Sequence, residues 1–529
     1  MKSDATKLSW LPLLLSCLAG CGGGSSPGGI VFPAGGPVAG EAGAGCFTFG
    51  AATAAAQIED QNYHSDWYLW TQPEPDGLGN CTFVGPAVEG YSRALDDIGL
   101  ISELNLDAYR FSIAWARVEP QRDTPDEEAL GHYDDFIDGL VAAGIKPMIT
   151  VHHFSSPVWV DDPRRESACP SGPTDTDLCG WHHEQGAEQI IEELAEHAGA
   201  LAARYGDRVD EWCTLNEPLN YLMAAYGIGL FPPGRSVLLS DFDAFVEIVK
   251  RYLRAHVAMY EAIQAADTID ADGDGTAAIV GMTISVSEWV AARDNEISDD
   301  PLDLAARDRL LYVRHHLLVD SLVQGGFDAD FDGQSDEQHP EWLGRIDFVG
   351  VQYYARMGVT GSPALVPGLE LTPCAGGIDL GACVPPLDET KYVPSMDYEY
   401  FEPGIYKVLI DYSDRWPALP LMVTESGLAT RVGRRRAEHV VRSLEQIWRA
   451  REEGVDVRGY FHWSLMDNFE WAEGYEPRFG LYSVDRQTFE RTPTDGALML
   501  GNIARERRLS EEISQDFGGL GPMTPEDGE

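Results

Sequence analysis

The chain has 529 residues, 44% hydrophobic and 23% charged, an ordinary globular balance with material for a large core. Acidic residues outnumber basic ones 86 to 38, for a formal net charge of −48. A field of that sign excludes nucleic acid and anionic lipid as electrostatic partners and amounts to a solubilising shell.

The first 21 residues, "MKSDATKLSWLPLLLSCLAGC", carry Lys2 and Lys7, then an apolar run too short to span a bilayer, then small residues before Cys21. The "LAGC" ending resembles the lipobox of bacterial lipoproteins. That implies cleavage before Cys21, a lipid on its thiol and an exported protein anchored to the cell envelope. Residues 22–45, rich in Gly, Pro, Ser and Ala, are expected to form a flexible tether.

From 46 to about 510, β-branched runs alternate with helical patterns. Strands are predicted near 47–53, 107–113, 146–153, 209–217, 277–285, 346–354, 421–426 and 457–463. Eight strands separated by helices predict a parallel sheet, and eight is the number that closes into a (β/α)8 TIM barrel. No Gly-rich phosphate turn follows the first strand, which disfavours an open doubly wound sheet. The acidic, apolar-poor residues 511–529 are expected to be disordered.

There are nine cysteines. Removing Cys17 with the leader and Cys21 as the lipid site leaves seven. Cys169 with Cys179, and Cys374 with Cys383, lie close in sequence within loops and are expected to form disulfides, as export permits. Cys46 with Cys81 is a third expected pair, and Cys213 stands alone.

In a barrel of this kind catalytic groups sit at the C-terminal ends of the strands. Those ends carry His153, Asn216, Glu217, Tyr354, Glu425 and Trp463. Two carboxylates across one cleft, here Glu217 of "TLNEP" and Glu425 of "VTESG", are the minimum apparatus for cleaving a glycosidic bond. One donates a proton and the other attacks or stabilises the sugar carbon.

The motifs "FTFGAATAAAQIE", "LNLDAYRFSIAWARVEP", "TVHHF", "TLNEP", "VQYY", "VTESG" and "GYFHWSLMDNFEWAEGYEPRFGLYSVD" occur in this order. The chain thereby resembles family 1 glycoside hydrolases, the β-glucosidase and β-galactosidase family, over nearly all of 46–505. The resemblance implies a retaining exo-β-glycosidase that removes terminal non-reducing β-D-glucosyl residues from a β-glycoside or oligosaccharide. β-Galactosides and β-fucosides come next, and no organic cofactor is implied. It assigns Glu217 as acid/base and Glu425 as nucleophile. Arg110 and Tyr354 would hold Glu425, and Asn216 would hold the sugar 2-hydroxyl. Gln57, His153, Glu470 and Trp471 would grip the sugar, with Trp463 as its floor and Phe479 closing one side. The competing readings are a transglycosylating member of the family and an inactive surface sugar-binding lipoprotein.

Three positions depart from the family pattern: Ser426 and Gln352 stand where Asn is usual, and Asp60 replaces Gly. Two acidic stretches carry aspartates at alternate positions before a glycine. Asp270, Asp272 and Asp274 form one, and Asp328, Asp330 and Asp332 the other. This spacing suits a structural calcium loop, although neither has a Glu at the twelfth position. The pairs His152–His153 and His182–His183 are weaker metal candidates.

Overall fold

The computed structural model describes residues 29–165, 169–374 and 380–526. Cys21 and the expected leader lie outside them. Eight strands form the barrel: β1 Thr48–Ala52, β2 Ala108–Ser112, β3 Lys146–His152, β4 Glu211–Asn216, β5 Ile279–Arg293, β6 Phe348–Thr360, β7 Leu421–Ser426 and β8 Val457–Trp463. Each pairs in parallel with the next, and β8 returns to β1 with Trp463 opposite Ala52, which closes the cylinder. The predicted barrel is therefore the observed one. Buried on both faces, these strands read as apolar runs without alternation. β5 and β6 continue past the barrel as a paired extension, Met357 opposite Trp289.

Among the described residues, a main helix after each strand covers the outside: α1 Ala94–Glu103, α2 Glu127–Ala142, α3 Glu184–Tyr205, α4 Phe242–Ala266, α5 Leu317–Gln324, α6 Glu402–Arg415, α7 Gly433–Glu452 and α8 Asp495–Glu506. Four of their starts, those of α2, α3, α4 and α8, are marked by side-chain caps. Asp126 accepts from Glu128 N and Ala129 N at α2, and Asp241 accepts from Ala244 N at α4. His183 accepts from Gly186 N at α3, so this candidate metal ligand is a helix cap.

Within the described residues, both terminal segments depart from expectation, while residues 22–28 of the expected tether lie outside them. Residues 29–45 are part of the fold: Gly29–Val31 pairs antiparallel with Arg508–Ser510. Phe32 is buried against Phe47, Phe49 and Trp448 across the N-terminal face of the barrel. The tail continues as a helix, Glu511–Phe517, and then lies along α7. Arg442 donates to Gly521 O at 2.6 Å and Pro522 O at 2.8 Å, Thr524 Oγ1 donates to Glu438, and Glu526 accepts from Thr430 and Arg431. Composition misses this because the tail is held by its own carbonyls and one buried Met523 rather than by a hydrophobic run. The same contacts account for the burial of an arginine-rich helix.

Both close cysteine pairs are bonded, Cys169–Cys179 and Cys374–Cys383. Cys46 and Cys81 are not bonded to each other. Cys46 is buried, with its thiol directed at Ala42 O, while Cys81 is exposed. The expected third pair fails because the N-terminal segment folds under the barrel floor, whereas Cys81 belongs to a loop on its upper side.

Candidate active site

The "TLNEP" stretch turns sharply at Glu217. β4 ends at Asn216, Glu217 adopts a left-handed backbone (φ 39°, ψ 61°), and Pro218 begins the short helix Pro218–Leu222. Pro at the first helical position is pre-set for that start and disfavours right-handed helix in the residue before it. A non-glycine residue held left-handed costs of order 1–2 kcal/mol. The turn puts the Glu217 carboxyl into the barrel mouth, and Asn220, one turn on, donates to its Oε2 at 2.7 Å.

Glu425, on β7, is held from three sides. Arg110 Nη1 donates to Oε1 at 2.6 Å, Gln352 Nε2 to Oε1 at 2.8 Å, and Tyr354 OH to Oε2 at 2.7 Å. These contacts follow from strand register, since Gln352 lies opposite Glu425 in the β6–β7 pair. Gly427 follows because a Cβ there would collide with the Trp463 carbonyl. Asn216 Oδ1 accepts from Arg110 at 2.6 Å, Gln352 at 2.8 Å and Thr283 at 3.0 Å. With its oxygen occupied, Asn216 is oriented to offer its Nδ2 protons to a ligand.

The two carboxyls are electrostatically unlike. Burial, then the Glu425 charge, push Glu217 up to about 7, against a weaker pull from Arg314, Asn220 and Ser285. Burial also raises Glu425, but the Arg110 cation and then the Tyr354 hydroxyl oppose it at contact distance. A direct cation makes Glu425 the group that ionises first and leaves the proton on Glu217.

Both line a cavity of about 290 Å³ together with His153, Trp463, Glu470 and Phe479. His153 and Trp463 stack at 5.8 Å, and Phe479 meets Tyr354 edge-on at 5.9 Å. Trp471 also stacks with His153, at 6.0 Å. Gln57 Nε2 is fixed by Phe469 O at 2.7 Å, with Glu470 Oε2 at 3.3 Å. Gln57 Oε1 and His153 Nδ1 are buried without a protein partner among the described residues, so both await a ligand's hydrogen bonds. Burial, then the Arg110 charge, keep His153 neutral. Burial, then Glu425, lift Glu470 to about 8. The site residues expected from sequence thus converge on one cleft.

Of the departures, Gln352 bridges Asn216 and Glu425. Ser426 turns away toward His439, and Asp60 binds Ser92 and Gln61. Asn220, Phe231, Arg314, Met357 and Tyr398 line the same cavity and stand at no predicted strand end, whereas Ser285 closes the predicted strand 277–285 but carries no titratable group to single it out.

The acidic stretches lie away from this cleft. Asp328, Asp330 and Asp332 do bring a carboxylate oxygen each within 4.8 Å of one another. Asp270 and Asp272 instead gather with Asp210, which accepts from Ala271 N and Asp272 N; Asp274 is not in the group. Lys146 donates to Asp272 at 2.6 Å, so a cation already stands there. His152 is engaged by Ser156 and Tyr252.

Residues 44–508 match Glycosyl hydrolase family 1. A bifunctional β-D-glucosidase/β-D-fucosidase of Bifidobacterium breve is 32% identical over 476 residues, 85% of this chain and 95% of the relative. A β-galactosidase of Pyrococcus woesei is 28% identical over 500 residues, covering 85% of this chain and 94% of that one. Among solved structures, a β-glycosidase from Pyrococcus horikoshii superposes with a TM-score of 0.72 at 28% identity, over 91% of this chain and 98% of that chain. Barrel and cleft together are those of a retaining, exo-acting O-glycosyl hydrolase. The chain belongs to glycosyl hydrolase family 1.

Proposed function

We infer that the protein hydrolyses terminal β-D-glucosyl groups by double displacement, with Glu217 as acid/base and Glu425 as nucleophile. The observation that carries this is the unequal treatment of the two carboxyls. Glu425 is gripped by a cation and two neutral donors, whereas Glu217 meets only neutral donors, Asn220 and Ser285, among the described residues and is pushed up to about 7. In the first step a Glu425 oxygen bonds to the anomeric carbon as the glycosidic bond breaks, and Glu217 gives its proton to the leaving oxygen. In the second, Glu217 takes a proton from water, whose oxygen displaces Glu425. Arg110, Gln352 and Tyr354 keep the nucleophile ionised and aimed. Asn216 Nδ2 donates to the sugar beside the reacting carbon. Gln57, His153 and Glu470 hold the remaining hydroxyls over Trp463.

Glucose as the preferred sugar is favoured by the names of relatives, among them a β-glucosidase A of Thermotoga maritima, 27% identical over 488 residues. Export and anchoring through Cys21 rest on the Lys2, Lys7 and "LAGC" pattern and on two disulfides in the described chain, which suit an oxidising compartment.

The test is hydrolysis of a panel of 4-nitrophenyl β-glycosides, with the first-formed anomer followed by NMR. β-Glucose appearing first, at the highest kcat/KM of the panel, supports the reading. An α-anomer appearing first sinks the double displacement, and a faster galactoside or fucoside sinks the glucose assignment. For the anchor, the full chain should carry lipid by mass spectrometry and Cys21→Ala should release it from membranes. A membrane fraction unchanged by Cys21→Ala refutes that part.

A further inference from the structure

Arg314 is the only arginine or lysine among the described residues that line the active-site cavity. It sits in a single π-turn, Tyr312–His316, leading into α5. Such bulges recur at functional sites. The turn is pinned to β5, where Ser287 N donates to His315 Nε2 at 3.2 Å. Several buried arginines have a carboxylate, as Arg110 has Glu425, Arg356 has Glu399 and Arg442 has Glu402, while buried Arg436 is served by the carbonyls of Thr430 and Arg478. Arg314 has no carboxylate within ion-pair distance among the described residues. Its hydrogen bonds are two long ones, both 3.3 Å, to Asn220 Oδ1. A half-buried guanidinium served only by one amide oxygen keeps donors to spare.

Its position decides what those donors meet. Asn220 links Arg314 to Glu217, so the cation lies on the side of the acid/base where the leaving group sits, away from the His153, Gln57 and Glu470 end. Ser285 and Ser287 add hydroxyls to the same cavity, while Phe231, Met357 and Tyr398 give it an apolar lining. Rings and thioethers accept a flat or aliphatic body, and a half-buried guanidinium selects an oxyanion with paired, charge-assisted hydrogen bonds.

We propose that Arg314 makes the leaving-group side of the cleft a subsite for aglycones carrying a carboxylate, such as aryl β-glucosides of phenolic acids. This rests on the placement of the leaving group at Glu217. The negative field of the whole chain slows the approach of such substrates, so the selectivity is local and belongs to Arg314.

The test compares two substrates, the β-glucosides of 3-(4-hydroxyphenyl)propionate and of its primary amide. Two methylenes insulate the phenol, so both leaving groups have nearly the same acidity. At low ionic strength wild type should favour the carboxylate by roughly tenfold in kcat/KM, the scale of one charge-assisted contact. The ratio should fall to about one in Arg314→Met and stay intermediate in Arg314→Lys. Taking the ratio within each variant cancels any general effect of the substitution on Glu217, and the wild-type ratio needs no variant at all. Equal rates on the two substrates, or a ratio unchanged in Arg314→Met, overturns the proposal while hydrolysis of 4-nitrophenyl β-glucoside leaves the glycosidase reading standing. A folded wild type inert toward every 4-nitrophenyl β-glycoside overturns both.

Discussion

Arg110 and Glu425 meet at 2.6 Å, with both side chains almost fully withdrawn from solvent and the second guanidinium arm on Asn216. One planar cation therefore sets the ionisation of the nucleophile and the orientation of the amide that faces the sugar. Arg110→Lys keeps the charge but cannot fork. Its kcat/KM on 4-nitrophenyl β-glucoside should fall about 10²-fold or more, the size of loss seen when a transition-state contact is removed. A loss under threefold would show that the fork is dispensable.

Gln352 offers a finer probe. Gln352→Ala removes a donor from both Glu425 and Asn216. Less support for the Glu425 anion raises its pKa, so the acid limb of kcat/KM should move to higher pH and kcat should fall several-fold. A limb that stays in place would mean that Arg110 and Tyr354 alone set the ionisation.

The pH profile of wild type follows from the same pair. Glu217 must hold its proton for the first step and is lifted to about 7. Activity should therefore decline as pH rises through about 7, while protonation of Glu425 sets the acid side; the two limbs belong to the coupled pair. Glu217→Gln should abolish the alkaline limb along with most turnover of poorly activated glycosides. An optimum well above pH 8 would contradict this.

The disulfides bear on stability rather than chemistry. Cys169–Cys179 and Cys374–Cys383 join cysteines 10 and 9 positions apart. Loop-closure entropy assigns each about 2–3 kcal/mol. Reductant, or the paired Cys→Ser variants, should lower Tm by several degrees with little change in kcat, as read by calorimetry beside the nitrophenyl assay. An unchanged Tm would place both loops outside the cooperative unit.

The barrel is legible in the sequence because doubly buried strands announce themselves as apolar runs. The two glutamates are legible because a carboxylate that ends such a run has the barrel mouth to face. Arg314 and Asn220 are not legible. They stand on helical segments beyond β4 and β5, and only the closed barrel turns them toward Glu217. The docked ends are hidden for a different reason: Arg442 and its neighbours on α7 bind the tail through backbone carbonyls, which every sequence possesses. Asp210 likewise gives no signal, since it precedes β4 and reaches the 270–272 loop only across the barrel floor.

The strap formed by residues 29–45 sets an orientation. It ends at the floor of the barrel, paired with Arg508–Ser510, while the cleft opens at the opposite end. Were Cys21 to carry the proposed lipid, the seven residues 22–28 would separate it from this strap, a distance of at most about 25 Å for any seven-residue chain. Under the anchoring proposed above, the barrel would stand on its base with its opening turned from the bilayer toward the glycosides that diffuse past.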